Sequence, residues 1–354
     1  MKYEHGGDIY TNKGMTDYSV NINPFGPGRG VIEAVREAAG LIEQYPDSRC
    51  LKLRGVLAKK LCVPDEFLIF GNGAADLIFS IVYAQKPKKA ILTAPAFSEY
   101  EQALRAVNCD ITYYFLKEEK EFSLDEGYLE LLTKDTDMIF LCCPDNPSGQ
   151  VVEKRLLKKI LQKCQNYQIR MVLDECFYEF LEYPEATVMI EEALWEKQLV
   201  LLRAFTKMYG MPGLRLGYAI SCDDMLREKI ATIRQPWSVS VLAQQAGVAA
   251  LKEAEHVLRT RKFITRERKW MEQELMRIGV CFYKSKANYI LLRSSYDLYN
   301  RLKNKGFLIR DCSNYKGLTK GYYRIAIRQR EDNVRLMQAI EDIHGKDGGE
   351  ENGC

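Results

Sequence analysis

Leu201-Leu202-Arg203-Ala204-Phe205-Thr206-Lys207-Met208-Tyr209-Gly210-Met211-Pro212-Gly213-Leu214-Arg215-Leu216-Gly217-Tyr218 is the stretch on which the fold turns. An apolar run enters a short polar segment with one lysine, then returns to an apolar strand through Pro212 and Gly213. Strand, loop, strand presents a side chain at the end of a sheet, where a lysine can form a Schiff base with a carbonyl. Taken alone, Lys207 reads equally as an exposed lysine between two strands. Its company gives it weight: Arg215 lies eight residues on, and polar segments close other strands upstream.

Upstream, apolar runs alternate with amphipathic segments. Strands are predicted over 67–70, 90–93, 111–115, 138–142, 171–173, 199–203 and 216–221. Helices are predicted over 31–44, 51–61, 75–83, 98–107, 124–132 and 153–166. Such alternation implies crossover connections and a mostly parallel sheet covered by helices. Beyond this the pattern changes. Residues 239–268 read as nearly continuous helix. A smaller α/β unit follows, with strands over 288–292, 307–310 and 323–327 and helices over 296–305 and 331–344. The expected organisation is a large domain over 31–250 and a small domain from 1–30 and 251–345. A Gly- and acid-rich tail over 346–354 is expected to be disordered.

The chain has 354 residues, enough for a large core. Its formal charge of +3 is spread along the sequence, which argues against nucleic acid as a partner. The N-terminal residues are polar and no apolar run has the length of a membrane span, so a cytoplasmic protein is expected. Eleven cysteines with no C-x-x-C pair read as reduced thiols, mostly core filler. His5, His256 and His344 lie far apart, so no protein-bound metal is expected.

In an open parallel sheet, ligands bind at the C-terminal ends of the strands. Gly71-Asn72-Gly73-Ala74-Ala75-Asp76 opens a helix there. Small residues let its N–H groups approach an anion, and a tight strand–helix turn explains them equally. In Cys143-Pro144-Asp145-Asn146-Pro147-Ser148-Gly149 two prolines fix the backbone around Asn146, as a ligand donor or in a plain loop. Asp174 follows a run of apolar residues at a buried strand end. A buried carboxylate needs a partner, either a ligand or an arginine of the core. Together, Asp174 and Lys207 point to pyridoxal phosphate: the lysine takes the aldehyde and the carboxylate keeps the pyridine nitrogen protonated.

With these residues in hand, the chain resembles the fold-type I pyridoxal-phosphate enzymes of the class I/II aminotransferase group, over about residues 17–344. Thr206-Lys207 followed by Gly213-Leu214-Arg215-Leu216-Gly217-Tyr218 is the most specific part. The resemblance implies that Lys207 is the Schiff-base lysine and Asp174 the pyridinium partner. It makes Asn146 a donor to the ring hydroxyl and Phe97 the aromatic that stacks on the ring. Gly73, Ala74, Thr206 and Arg215 would meet the phosphate, with Tyr45 reaching the phosphate of a neighbouring subunit; a homodimer with shared active sites follows. Arg324 would grip the substrate carboxylate. Two departures stand out: Phe177 replaces a common tyrosine, and Ala204 replaces a common serine or threonine.

Within the group, the opening His5-Gly6-Gly7-Asp8 with Asn21-Ile22-Asn23-Pro24-Phe25-Gly26-Pro27, and the segment Ile309-Arg310-Asp311-Cys312, are most similar to L-threonine-O-3-phosphate decarboxylases. The related histidinol-phosphate aminotransferases are the alternative. The decarboxylase resemblance implies a phosphorylated amino acid as substrate, held by His5, Asn23, Arg310 and Arg324, in cobalamin biosynthesis.

Overall fold

The computed structural model describes residues 5–345; the tail expected over 346–354 lies outside them. In chain order the elements begin with β1 (Thr16–Asp17), α1 (Arg29–Ala38), α2 (Leu51–Leu61), β2 (Leu68–Gly71), α3 (Ala74–Gln85), β3 (Lys89–Ala94), α4 (Ser98–Arg105) and β4 (Asp110–Phe115). Next come α5 (Tyr128–Leu131), β5 (Met138–Cys142), α6 (Lys154–Tyr167), β6 (Arg170–Asp174), α7 (Ile190–Ala193), β7 (Leu199–Ala204), β8 (Gly217–Ile220), α8 (Asp224–Ile233) and α9 (Val241–Ala250). The last part holds α10 (Ala254–Ile278), β9 (Cys281–Tyr283), β10 (Tyr289–Arg293), α11 (Leu298–Lys303), β11 (Phe307–Leu308), β12 (Arg310–Asp311), β13 (Tyr322–Ala326) and α12 (Arg330–Gly345).

Seven strands form the main sheet in the order β2-β8-β7-β6-β5-β3-β4. Only β8 runs against the others. Strands β5, β6 and β7 are buried along their whole length, as expected of strands covered on both faces. Alternate residues serve opposite cores: Ile139, Leu141, Met171, Leu173, Leu199 and Leu201 face one way, with α2, α6, α9 and α10. Met138, Phe140, Val172, Val200 and Leu202 face the other, under α3, α4 and α8. The first core continues without a break into β10, β13 and α12, so the two parts share one apolar interior. Because β2, β5, β6 and β7 point the same way, their C-terminal ends gather on one edge.

The smaller sheet is antiparallel, in the order β12-β13-β10-β9. Several expectations change here. The strand predicted over 307–310 is divided: β11 pairs with β1, while β12 pairs with β13. The helix predicted over 239–268 is interrupted between α9 and α10. At the break Glu253 turns back to the start of α1, where Oε1 accepts from Gly30 N at 2.8 Å. A carboxylate is favourable at that helix start. Gly28 leaves room for it, since a Cβ there would overlap the carboxylate. The helix predicted over 31–44 ends at Ala38 with a short 3₁₀ turn, and that over 124–132 contracts to α5. Cys50, Cys109, Cys142, Cys143, Cys164 and Cys312 are buried free thiols. Cys281 is disulfide-bonded, which corrects the expectation of reduced thiols throughout; it lies on the edge strand β9 and is half-buried.

Candidate active site

Lys207 follows β7 by three residues, and its amine reaches a cavity of about 200 Å³ over the C-terminal edge of the main sheet. The Nζ stands 5.8 Å from the centre of the Phe177 ring and has no hydrogen bond or ion pair among the described residues. Burial, with Arg324 and Arg215 nearby, pushes its pKa down from the usual lysine value to about 8. Cys176 and Asp174 act in the opposite direction.

Asp174 closes β6 on the cavity wall. Its Oδ2 accepts from the Tyr100 hydroxyl at 2.6 Å and its Oδ1 from the Cys176 backbone N–H at 2.8 Å. The cationic core partner that burial alone suggested is not what holds it. The sequence does not mark Tyr100, because it falls inside an amphipathic helix and reads there as core. Its signal is the hydroxyl: a buried tyrosine needs an acceptor. Burial and the Asp174 charge push the Tyr100 pKa far up, so it remains a donor. Phe97, just before α4, lies edge-on to Tyr100 with ring centres 5.6 Å apart and lines the cavity.

At the start of α3, Gly73 adopts φ +86°, and a Cβ there would lie 2.5 Å from Arg215 Nη2. Only glycine lets the guanidinium approach so closely. Arg215 itself sits in the left-handed region at φ 56°. Ala74, Ala75, Thr206 and Arg215 thus form one end of the cavity, with Ala204 beside them. Tyr45 stands outside it, highly exposed and packed against Trp237 at 4.6 Å.

The opposite end comes from the smaller sheet and the N-terminal arm. Arg310 and Arg324 are register partners on β12 and β13, so their side chains leave the same face of the sheet. Both are buried and both line the cavity. Arg324 donates to Asn146 Oδ1 through Nη1 and to the Ser19 carbonyl through Nη2 at 2.8 Å. Its Nε has no partner among the described residues. Arg310 donates to Asn314 Oδ1 at 2.9 Å and lies over the Tyr315 ring. His5 Nε2 stands 3.1 Å from the Glu99 carboxylate, whose pKa is raised by burial against the pull of His5.

Asn23 is a correction. It does not line the cavity. Its amide is occupied by Met208, Thr260 and His256, and Asn21 lines the wall instead. Asn21 is buried, and its Oδ1 lacks a partner among the described residues. The Asn-x-Asn spacing made the two hard to separate: packing against the lysine turn, invisible in the sequence, decides which one turns inward.

Residues 13–340 match the family model described as aminotransferase class I and II. The chain is 36% identical to threonine-phosphate decarboxylase of Salmonella typhimurium, over 96% of each chain. It is 29% identical to a histidinol-phosphate aminotransferase of Moorella thermoacetica, over 94% of this chain and 86% of that one. Among solved structures, L-threonine-O-3-phosphate decarboxylase from Porphyromonas gingivalis superposes with a TM-score of 0.83 at 27% identity, over 92% of this chain and 98% of that one. A lysine, a carboxylate and a glycine-lined helix start on one sheet edge, together with these matches, place the chain in the class I and II aminotransferase family, whose members depend on pyridoxal 5′-phosphate.

Proposed function

We propose that this protein decarboxylates L-threonine O-3-phosphate with pyridoxal 5′-phosphate as cofactor, giving (R)-1-amino-2-propanol phosphate for cobalamin biosynthesis. One observation carries the choice of substrate. Two buried arginines stand directly opposite each other on β12 and β13. Like charges in that position repel, at a cost of roughly 0.2–1 kcal/mol before desolvation is added. A ligand with two separate anionic groups removes the conflict. Phosphothreonine has a carboxylate for Arg324 and a phosphate for Arg310. The 36% identical threonine-phosphate decarboxylase supports the same reading.

The residues present suit the cofactor. The Lys207 amine has a lowered pKa and no hydrogen-bond partner among the described residues. Asp174 is fixed by two donors and retains lone pairs toward the cavity. The Gly73–Arg215 end forms a cationic cup at a helix start, suited to a phosphate. When bound, pyridoxal phosphate supplies an electron sink for a bond breaking at the substrate Cα.

The protein's own residues do the rest. Asp174 holds the proton on the pyridine nitrogen, with Tyr100 fixing the carboxylate. Asn146 and Phe97 orient the ring. Arg324 positions the carboxylate; Arg310, with His5 and Asn21 beside it, holds the phosphate and excludes water from it. As the Cα–carboxylate bond breaks, CO₂ departs, and Lys207 Nζ delivers the proton that takes its place. Ala204 and Ala74 offer no hydroxyl to the cofactor phosphate, so Arg215, Thr206 and backbone N–H groups carry that grip.

Tyr45, with the exposed Ile42 and Leu51 near it in the chain and Trp237 packed against it, would complete the phosphate cup of a second copy in a cytoplasmic homodimer. No described helix is long and apolar enough to cross a membrane.

The 29% identical relative favours a second reading, an aminotransferase acting on histidinol phosphate. Incubation with O-phospho-L-threonine and no oxo acid separates the two. CO₂ release supports the decarboxylase. Turnover only with histidinol phosphate and 2-oxoglutarate would replace it.

A further inference from the structure

Asn23, excluded from the cavity, sits where three parts of the chain meet. It is almost fully buried. Its backbone N–H donates to the Lys207 carbonyl at 3.0 Å. Its side-chain Nδ2 donates to the next carbonyl, Met208, at 2.7 Å. A carbonyl only accepts, so this contact fixes which end of the amide is nitrogen. The same nitrogen faces Thr260 Oγ1 at 2.9 Å and His256 Nε2 at 3.0 Å, both on α10. Its Oδ1 accepts from Phe25 N at 3.0 Å, which closes the arm into a turn. The two N–H groups of the amide are taken up by Met208 O and Thr260 Oγ1, with His256 Nε2 close by and also facing the Gly26 carbonyl at 3.2 Å.

The arm lies directly on the lysine turn. Gly210 has φ +62°, and a Cβ there would fall 2.3 Å from the Gly26 carbonyl carbon. Lys207 O also accepts from Gly210 N at 3.2 Å. Both carbonyls that aim the lysine are therefore held, and Asn23 holds both. The arm that does this also supplies His5, Ser19, Val20 and Asn21 to the cavity wall.

We infer that Asn23 is a positioning residue for Lys207: it fixes the lysine turn against the N-terminal arm and α10, and so sets where Nζ stands in the cavity. This rests on the reading of Lys207 as the lysine that bonds the cofactor. Reacting groups must be placed to within about 0.5 Å, so a loosened turn affects the lysine without any loss of a cavity contact.

The test uses the full chain stripped of cofactor. Covalent capture of pyridoxal 5′-phosphate is followed by absorbance across pH, for wild type, Asn23→Ala and Thr260→Val. Asn23→Ala removes the Met208 tie. Capture should slow about tenfold and its pH midpoint should move up by half a unit or more, as Nζ gains solvent. Thr260→Val retains the Met208 tie and fills the same space, so rate and midpoint should stay within twofold and 0.2 units. Should Asn23→Ala not fold, Asn23→Ser replaces it: serine maintains the bond to Phe25 N but falls short of Met208, and the same slowing is expected. Lower thermal stability with unchanged rate and midpoint, in whichever variant folds, would overturn the inference and leave Asn23 a structural joint. Failure of the wild type to capture the cofactor, or capture that survives in Lys207→Ala, would overturn the reading of Lys207 instead.

Discussion

The two ends of the cavity are built in opposite ways. At the cofactor end, Asp174 closes β6 while Asn146 and Lys207 follow β5 and β7, three neighbouring parallel strands whose ends bring them to one edge. At the substrate end, Arg310 and Arg324 face each other only because β12 pairs with β13, and the wall is completed by an arm some 300 residues earlier in the chain. The first end is local at Asn146 and Asp174, behind fully buried strands, and only its lysine turn is tied to the distant arm through Asn23. The second depends on long-range pairing, which sets two arginines side by side. On the proposed reading, chemistry resides in the first end and choice of substrate in the second.

The largest effect expected from breaking that division is at Lys207. Lys207→Ala should lower CO₂ release by at least about 10³-fold, because it removes both the cofactor bond and the proton donor. Phosphothreonine should still raise the melting temperature of the variant through Arg310 and Arg324. Loss of that ligand response would show that the two ends are not separable.

Next in size are the two arginines. A hydrogen bond to a charged group is worth about 1.5–3 kcal/mol, so Arg324→Ala and Arg310→Ala should each lower kcat/KM by about 10- to 100-fold. The absorbance of the bound cofactor should remain in both. Arg310→Met sharpens the point: it removes the cation proposed for the substrate phosphate and leaves Arg324 in place, so KM for phosphothreonine should rise about tenfold or more with the fold intact. A marked loss of stability in Arg310→Met would mean that the pair is a structural element.

How much of this was legible follows from the same contrast. A strand end is a local event: an apolar run stops, and the polar residue after it stands on the edge of the sheet. Asp174, Asn146 and Lys207 could be read that way, and the resemblance assigned their roles. Register between distant strands leaves no such mark. Arg310 and Arg324 were named by resemblance, but nothing in the sequence said that they oppose each other. The resemblance gives Asn23 as a substrate residue, whereas Asn21 lines the wall, because which asparagine turns inward is set by packing on Gly210 and Thr260. Tyr100 was hidden for another reason: its ring satisfies the helical pattern of α4, and only its hydroxyl belongs to the site. The helix break at 251–253 was hidden too, since the Glu253 carboxylate is drawn away by a helix start more than 200 residues earlier.

Acidity gives a smaller and graded test. Lys207 has a pKa of about 8 in the folded cofactor-free protein, against the usual 10.5. The neutral amine is the nucleophile, so capture of the cofactor should rise about tenfold per pH unit below 7 and level off above about 8. Stability carries the matching sign. Below pH 8 the lysine is protonated in both states, and the cost of burying its charge is fully present. Between 8 and 10.5 the unfolded chain binds more protons, so the cofactor-free protein gains stability as pH rises through that window. Lys207→Met should abolish this gain. A capture profile that levels only near 10 would place Nζ in a more solvated setting than the cavity floor.

The smallest effect is expected at Tyr100, and it separates the two faces of one residue. The ring packs on Phe140 at 4.9 Å, nearly parallel, and edge-on to Phe97. The hydroxyl alone touches Asp174. Tyr100→Phe maintains the packing and deletes one donor, so the fold and the cofactor stay in place. A bond to a carboxylate is worth about 1.5–3 kcal/mol, but Asp174 keeps the Cys176 N–H, so only part of this should reach the reaction and kcat should drop about 2- to 12-fold. The KM for phosphothreonine should stay within twofold, because Arg310 and Arg324 are untouched at the other end. If KM rises while kcat holds, Tyr100 acts on the substrate through Phe97, and the two ends are coupled through the start of α4. If neither changes, the Cys176 N–H is enough to fix Asp174, and the local strand end needs no support from its neighbour.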